Sequence, residues 1–168
     1  MSISPQHVTE LVQRHFEPLV LYARQWSQTP EDVVQEAFVR LLGQSELPGN
    51  SAGWLYRVVR NGAISAARSA RRRSHRETSV AHRGEPWFES SPGGPIDAAR
   101  ATAGLEELPL EKREVIIARL WGGLSFEEIA ELVGSPISTV HWRYQTGLAS
   151  LRERLGEVCP KTKSKIQN

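Results

Sequence analysis

Along most of the chain, apolar side chains return every three to four positions and strand-like alternation is rare, so the pattern predicts an all-α protein. Val8, Leu11, Val12, Leu19, Tyr22, Ala23 and Trp26 form a first amphipathic stretch. Pro18 interrupts it. Proline lacks the amide hydrogen and its ring crowds the preceding turn, so a break is expected near residues 15–18. Thr29, Pro30, Glu31 and Asp32 read as a helix start, with a capping hydroxyl, a proline at the first position and carboxylates facing the positive helix end. That helix should reach Leu42. Residues 43–53 read as a loop, with Asn50 or Ser51 placed to cap a helix over 52–73. Regular spacing then fails in RETSVAHRGEPWFESSPGGP, which reads as part of a flexible linker over 74–95. It returns over 96–107 and 110–121, separated by Pro109, and over 126–133 and 136–155. The expected architecture is two small helical domains, 1–73 and 96–157, followed by a disordered tail over 158–168.

Charge changes this picture by marking partners. Residues 1–56 carry three basic and six acidic side chains, 57–83 eight and one, 84–140 four and ten, and 141–168 six and two. Two basic blocks therefore alternate with two acidic ones, and basic blocks are what a phosphate-binding surface requires. A hydrophobic fraction of 39% with 24% charged residues is that of a globular chain, and no apolar run approaches the ~18 residues of a membrane span. The N-terminal stretch lacks the pattern of a secretion signal, so a cytoplasmic location is expected. Cys159 is the single cysteine, which excludes an internal disulfide and a multi-thiolate metal site. No cofactor or metal is expected.

The window LSFEEIAELVGSPISTVHWRYQ carries the most chemistry. Ser125 and Glu128 have the spacing of a capping box. Ala130, Gly134 and Val140 then fall at helix-turn-helix positions: a small residue where two helices cross, a glycine for a left-handed turn, and a valine for the shared core. Ser135 and Pro136 should start the second helix. At ~100° per residue, Val140, Tyr144, Gly147, Leu148, Leu151 and Leu155 share its core face, and Ser138, His141, Trp142, Gln145 and Arg152 the opposite one. That exposed face is what a recognition helix presents to the major groove. Ser138 and Gln145 suit base edges, His141 a base or phosphate, Trp142 a thymine methyl or sugar, and Arg143 and Arg152 phosphates. A helical hairpin with Trp142 packed on a neighbour would share much of this pattern.

A second basic surface lies on the helix over 52–73. Leu55, Val58, Val59, Gly62 and Ala66 form its apolar face, and Arg57, Arg60, Asn61, Arg68, Arg71 and Arg72 lie opposite, with almost no carboxylate near in sequence. Nucleic-acid phosphate is the expected partner. Trp54 and Tyr56 could stack on unpaired bases, although aromatic core residues are the more frequent explanation. On the preceding helix Asp32, Gln35 and Glu36 form an acidic strip that DNA would repel, which suits protein docking or plain solvation.

In this order the pieces resemble the extracytoplasmic-function sigma factors of bacteria. DVVQEAFVRLL from Asp32 resembles the family's polymerase-docking helix, WLYRVVRNGAISAARSARRR from Trp54 its −10 reader, and LEELPLEKREVIIARLWGGLSFEEIAELVGSPISTV from Leu105 its −35 domain. The resemblance implies a promoter-specificity subunit without catalytic activity. Asp32, Gln35 and Glu36 would contact the β′ coiled coil of core RNA polymerase, and the second domain the β flap. The loop over 43–51 would help capture a flipped −10 base, and Asn61 and the following arginines would hold the −10 DNA. An anti-sigma factor enters as a candidate partner. Three departures stand out: Ser65 where the family usually has Asp, His141 and Trp142 for the usual basic and small residues, and Gly147 within the recognition helix, at about 1 kcal/mol relative to alanine. An altered −35 preference is expected. A helix-turn-helix regulator that never joins polymerase is the main alternative. A nucleic-acid enzyme has less behind it, since phosphate loop, HExxH and cysteine cluster are all missing.

Overall fold

The computed structural model describes residues 4–74, 87–88 and 98–156, and among these every regular element is helical. The expected linker, apart from Ser74, Trp87 and Phe88, lies outside the described residues, as do the tail and Cys159.

Helices α1 (Pro5–Ala23), α2 (Pro30–Leu42) and α3 (Ser51–Ser74) pack on one another. The break expected near Pro18 does not occur: α1 runs through it. Its last five residues, Leu19 to Ala23, are all buried. That burial offsets the missing backbone bond, whose loss in a helix interior costs about 3 kcal/mol. Nor does the Thr29 hydroxyl cap α2; instead the Ser27 hydroxyl accepts the Thr29 N–H at 3.1 Å. At α3, Asn50 is the capping residue: its Oδ1 accepts the Gly53 N–H at 2.9 Å. Leu55, Tyr56, Val59 and Ala63 form the buried face of α3.

Helices α4 (Ala98–Glu106), α5 (Leu110–Leu120), α6 (Phe126–Val133) and α7 (Ile137–Leu155) make the second unit. Trp87 and Phe88, expected in the linker, belong to it. The Trp87 N–H donates to the Thr102 hydroxyl at 2.9 Å, the Arg113 guanidinium lies 5.6 Å from the Trp87 ring centre, and Phe88 sits 5.6 Å from Trp121.

Gly147 acquires a reason here. A Cβ at this position would stand 2.7 Å from Ile116 Cδ1 and 3.2 Å from Lys112 Cβ, so the glycine is what lets α7 lie close on α5. Gly147→Ala should therefore destabilise by about 1 kcal/mol: overpacking against the buried Ile116 costs about 1–3 kcal/mol and outweighs the ~1 kcal/mol gain in helix propensity. A lower urea midpoint at unchanged slope would register this, and a raised midpoint would refute it.

The two units share one apolar cluster. Tyr22 and Tyr56 of the first join Val115, Ile117, Ala118, Leu124 and Ile129 of the second, with α1 against α5 and α3 against α6.

Candidate nucleic-acid and docking interfaces

Helices α6 and α7 form the helix-turn-helix. The Ser125 hydroxyl accepts the Glu128 N–H at 3.1 Å, and Glu128 Oε2 accepts the Ser125 N–H at 2.7 Å, so both halves of the capping box are made. Gly134 has φ of 65°, the left-handed conformation that favours glycine. Ile129 and Val140 are fully buried between the helices. Ser135 does not cap α7: Pro136 is the N-cap residue, without a side-chain bond, and the Ser135 hydroxyl instead accepts from Arg143 Nη1 at 3.2 Å.

On the outer face of α7, Ser138, His141, Trp142, Gln145 and Arg152 are exposed, Trp142 by 58%. Lys112 Nζ, contributed by α5, stands 5.0 Å from the Trp142 ring centre, which adds a cation to the face. The His141 ring lies 3.9 Å from Phe126, itself 4.7 Å from the Arg119 guanidinium. Arg143 is held: besides Ser135, its Nη2 lies 3.6 Å from Glu111 Oε2. Two further residues of this face escaped the sequence reading. Lys112 is on another helix, and Ile137 is an apolar residue exposed at the start of α7.

On α3, Arg57, Asn61, Arg68, Arg71 and Arg72 are exposed as expected. Arg60 departs from the expected stripe. Its Nε donates to Glu114 Oε1 at 2.6 Å, a carboxylate 54 positions away that sequence proximity could not supply. The same oxygen accepts the Tyr22 hydroxyl at 2.6 Å, and Glu114 is only 5% exposed. Burial works against the Arg60 charge, but its hydrogen bond and attraction to Glu114 more than offset this and raise its pKa. Burial, then the Glu114 charge and hydrogen bond, raise the Tyr22 phenol well above its usual value, so Tyr22 donates as a neutral hydroxyl. Tyr56 is fully buried, which removes it as a base-stacking surface, while Trp54 stays half-buried beside Arg57.

On α2, Asp32, Gln35 and Glu36 are exposed, and Glu36 accepts from Arg40 Nε at 2.9 Å. Val39 and Leu42, 62% and 55% exposed, fall on the same face, so the strip is acidic and apolar together. A groove of about 410 Å³ between α2 and α3 runs from Asp32 and Glu36 to Asn61 and Ser65. Among the described residues no three His, Cys, Asp or Glu side chains gather as a metal site, and no helix is long and apolar enough to cross a membrane.

The family description "Sigma-70 region 2" matches residues 11–73, and "Sigma-70, region 4" matches residues 100–151. The extracytoplasmic-function (ECF) RNA polymerase sigma factor SigE of Mycolicibacterium smegmatis is 28% identical over 162 residues, covering 91% of this chain and 63% of its own length. The ECF sigma factor SigL of Mycobacterium tuberculosis is 33% identical over 135 residues, covering 76% of this chain and 75% of its own. The chain thus spans less than two thirds of the first relative and three quarters of the second. The sigma factor RpoE of Bartonella quintana, solved with the anti-sigma factor NepR, has the same fold at a TM-score of 0.75 and 23% identity, covering 92% of this chain and 99% of its own. With both regions matched in order and a one-third-identical relative along most of its length, the chain belongs to the ECF RNA polymerase sigma factors of the sigma-70 superfamily.

Proposed function

We propose that the chain binds core RNA polymerase and gives it promoter specificity, with the work divided between its two units. The region 2 unit docks through Asp32, Gln35 and Glu36, helped by Val39 and Leu42, onto the β′ coiled coil. It holds −10 DNA through Arg57, Asn61, Arg68, Arg71 and Arg72, while Arg60 is engaged by Glu114. The region 4 unit reads the −35 element through Ser138, His141, Trp142 and Gln145, with Arg152 and Lys112 on phosphates, and touches the β flap. Arg143 serves mainly to hold the turn through Ser135. The chain supplies no catalytic group, since polymerase performs the chemistry, and it acts in the cytoplasm. An anti-sigma factor is a further partner, on the analogy of the Bartonella quintana pair.

One observation carries this reading: an exposed arginine surface and an exposed acidic and apolar strip occupy adjacent helices of one unit. A regulator acting alone needs the first but not the second. Run-off transcription with purified core enzyme on genomic promoter fragments should give discrete transcripts that depend on this chain. DNA binding without co-elution with core would favour the regulator.

A further inference from the structure

The outer face of α7 holds one large aromatic side chain that the fold does not use. Trp142 is 58% exposed and, among the described residues, belongs to neither buried cluster. It stands nine positions before Leu151, which packs on the core of the second unit. Nine positions are about two and a half turns, so the two side chains point in opposite directions. The indole therefore faces straight away from the fold. The neighbouring His141 ring is already engaged by Phe126 at 3.9 Å. What Trp142 meets is a cation, Lys112 Nζ, 5.0 Å from its ring centre. Lys112 is set where α5 and α7 touch, since a Cβ on Gly147 would come within 3.2 Å of the lysine Cβ. The helix thus presents a flat apolar plate with an ammonium beside it, between the exposed Ser138 and Gln145. We propose that Trp142 reads the C5 methyl of a pyrimidine in the −35 element, so that 5-methylcytosine serves there as thymine does. The proposal rests on the assignment of α7 to −35 DNA.

The chemistry of the groove selects the methyl. Its floor offers donors and acceptors at every base pair but one kind of apolar group, the methyl of thymine. An indole has a single N–H and satisfies one acceptor, so against other base edges it would strip water from polar atoms without pairing them. Against a methyl it buries apolar surface on both partners. Cytosine carries a hydrogen at that carbon, and methylation puts the same group at the same place in the groove. Lys112 is a positioning residue: its ammonium restrains the ring by cation–π attraction and carries a charge that the neighbouring phosphates attract.

The test uses the full chain with core RNA polymerase and a duplex selected from random sequence for binding. Each −35 thymine is replaced singly by uracil, which deletes the methyl and keeps every hydrogen-bonding atom. At one position affinity should fall about fourfold, the effect of burying one methyl, and Trp142→Ala should show no fall there. An equal fall in Trp142→Ala would report DNA shape and overturn the proposal, as would no fall at any position. Changing that T·A pair to C·G should weaken binding, and 5-methylation of the cytosine should recover about fourfold in the parent alone. No recovery would overturn the extension to methylcytosine. Lys112→Met keeps the stem and should shrink the uracil effect; a full fourfold effect in this variant would leave Lys112 no part in positioning. If Trp142→Ala costs nothing while Gln145→Ala and Arg152→Ala weaken binding, the methyl reading falls and the −35 assignment stands. If none of the three matters, the assignment falls with it.

Discussion

With Gln35→Lys and Glu36→Lys together, affinity for core RNA polymerase should fall by about 30-fold or more, equivalent to about 2 kcal/mol. Both side chains are exposed on α2, and the strip they share with Asp32 becomes basic on substitution. A docking surface chosen for acidic complementarity then meets its partner with like charge, which slows encounter and destabilises the bound state. Val39 and Leu42 stay in place, so part of the apolar contact survives and the loss is graded. Within the chain the change is mild: Glu36 gives up an exposed ion pair with Arg40, worth about 0.3–0.5 kcal/mol. The thermal midpoint and single-strand DNA affinity should therefore hold steady while co-elution with core is lost. Undiminished core binding in the double variant would remove the docking assignment.

The second large effect is expected at the far end of α3. Arg68→Glu, Arg71→Glu and Arg72→Glu in one chain should weaken −10 DNA binding about 100-fold or more near physiological salt. The plot of log affinity against log salt should flatten by about 2, because each lost phosphate contact removes roughly 0.7–0.9 from that slope. All three residues are exposed, and no hydrogen bond joins any of them to the second unit among the described residues. The loss should appear in DNA binding and transcription but not in core association. An unaltered salt slope would show that phosphates are held elsewhere.

Local grammar made most of the fold legible. Ser125 with Glu128, and Gly134 in its left-handed turn, placed α6 exactly where spacing put it because capping and backbone sign are decided by residues three to nine positions apart. What was not legible depended on distant partners. Pro18 reads as a helix breaker until the buried turn after it is seen, and Gly147 reads as a flaw until Ile116 is seen against it. Arg60 belongs to an arginine stripe by spacing and to Glu114 by geometry. Val39 and Leu42 could not be told from core residues by hydropathy, since helical period assigns a face but not its exposure. The outward groups of α7 were readable because Val140 and its companions fixed the opposite side.

Glu128 divides its two oxygens between duties of different kinds. One completes the helix cap at Ser125 within its own unit, and the other accepts from Asn50 across to the first unit. Glu114 carries only the second kind of duty. Substitution at position 128 therefore touches a helix cap and a contact between the units in the same step, whereas loss of the buried Glu114 carboxylate leaves the Tyr22 hydroxyl and the Arg60 guanidinium short of a partner inside the shared core.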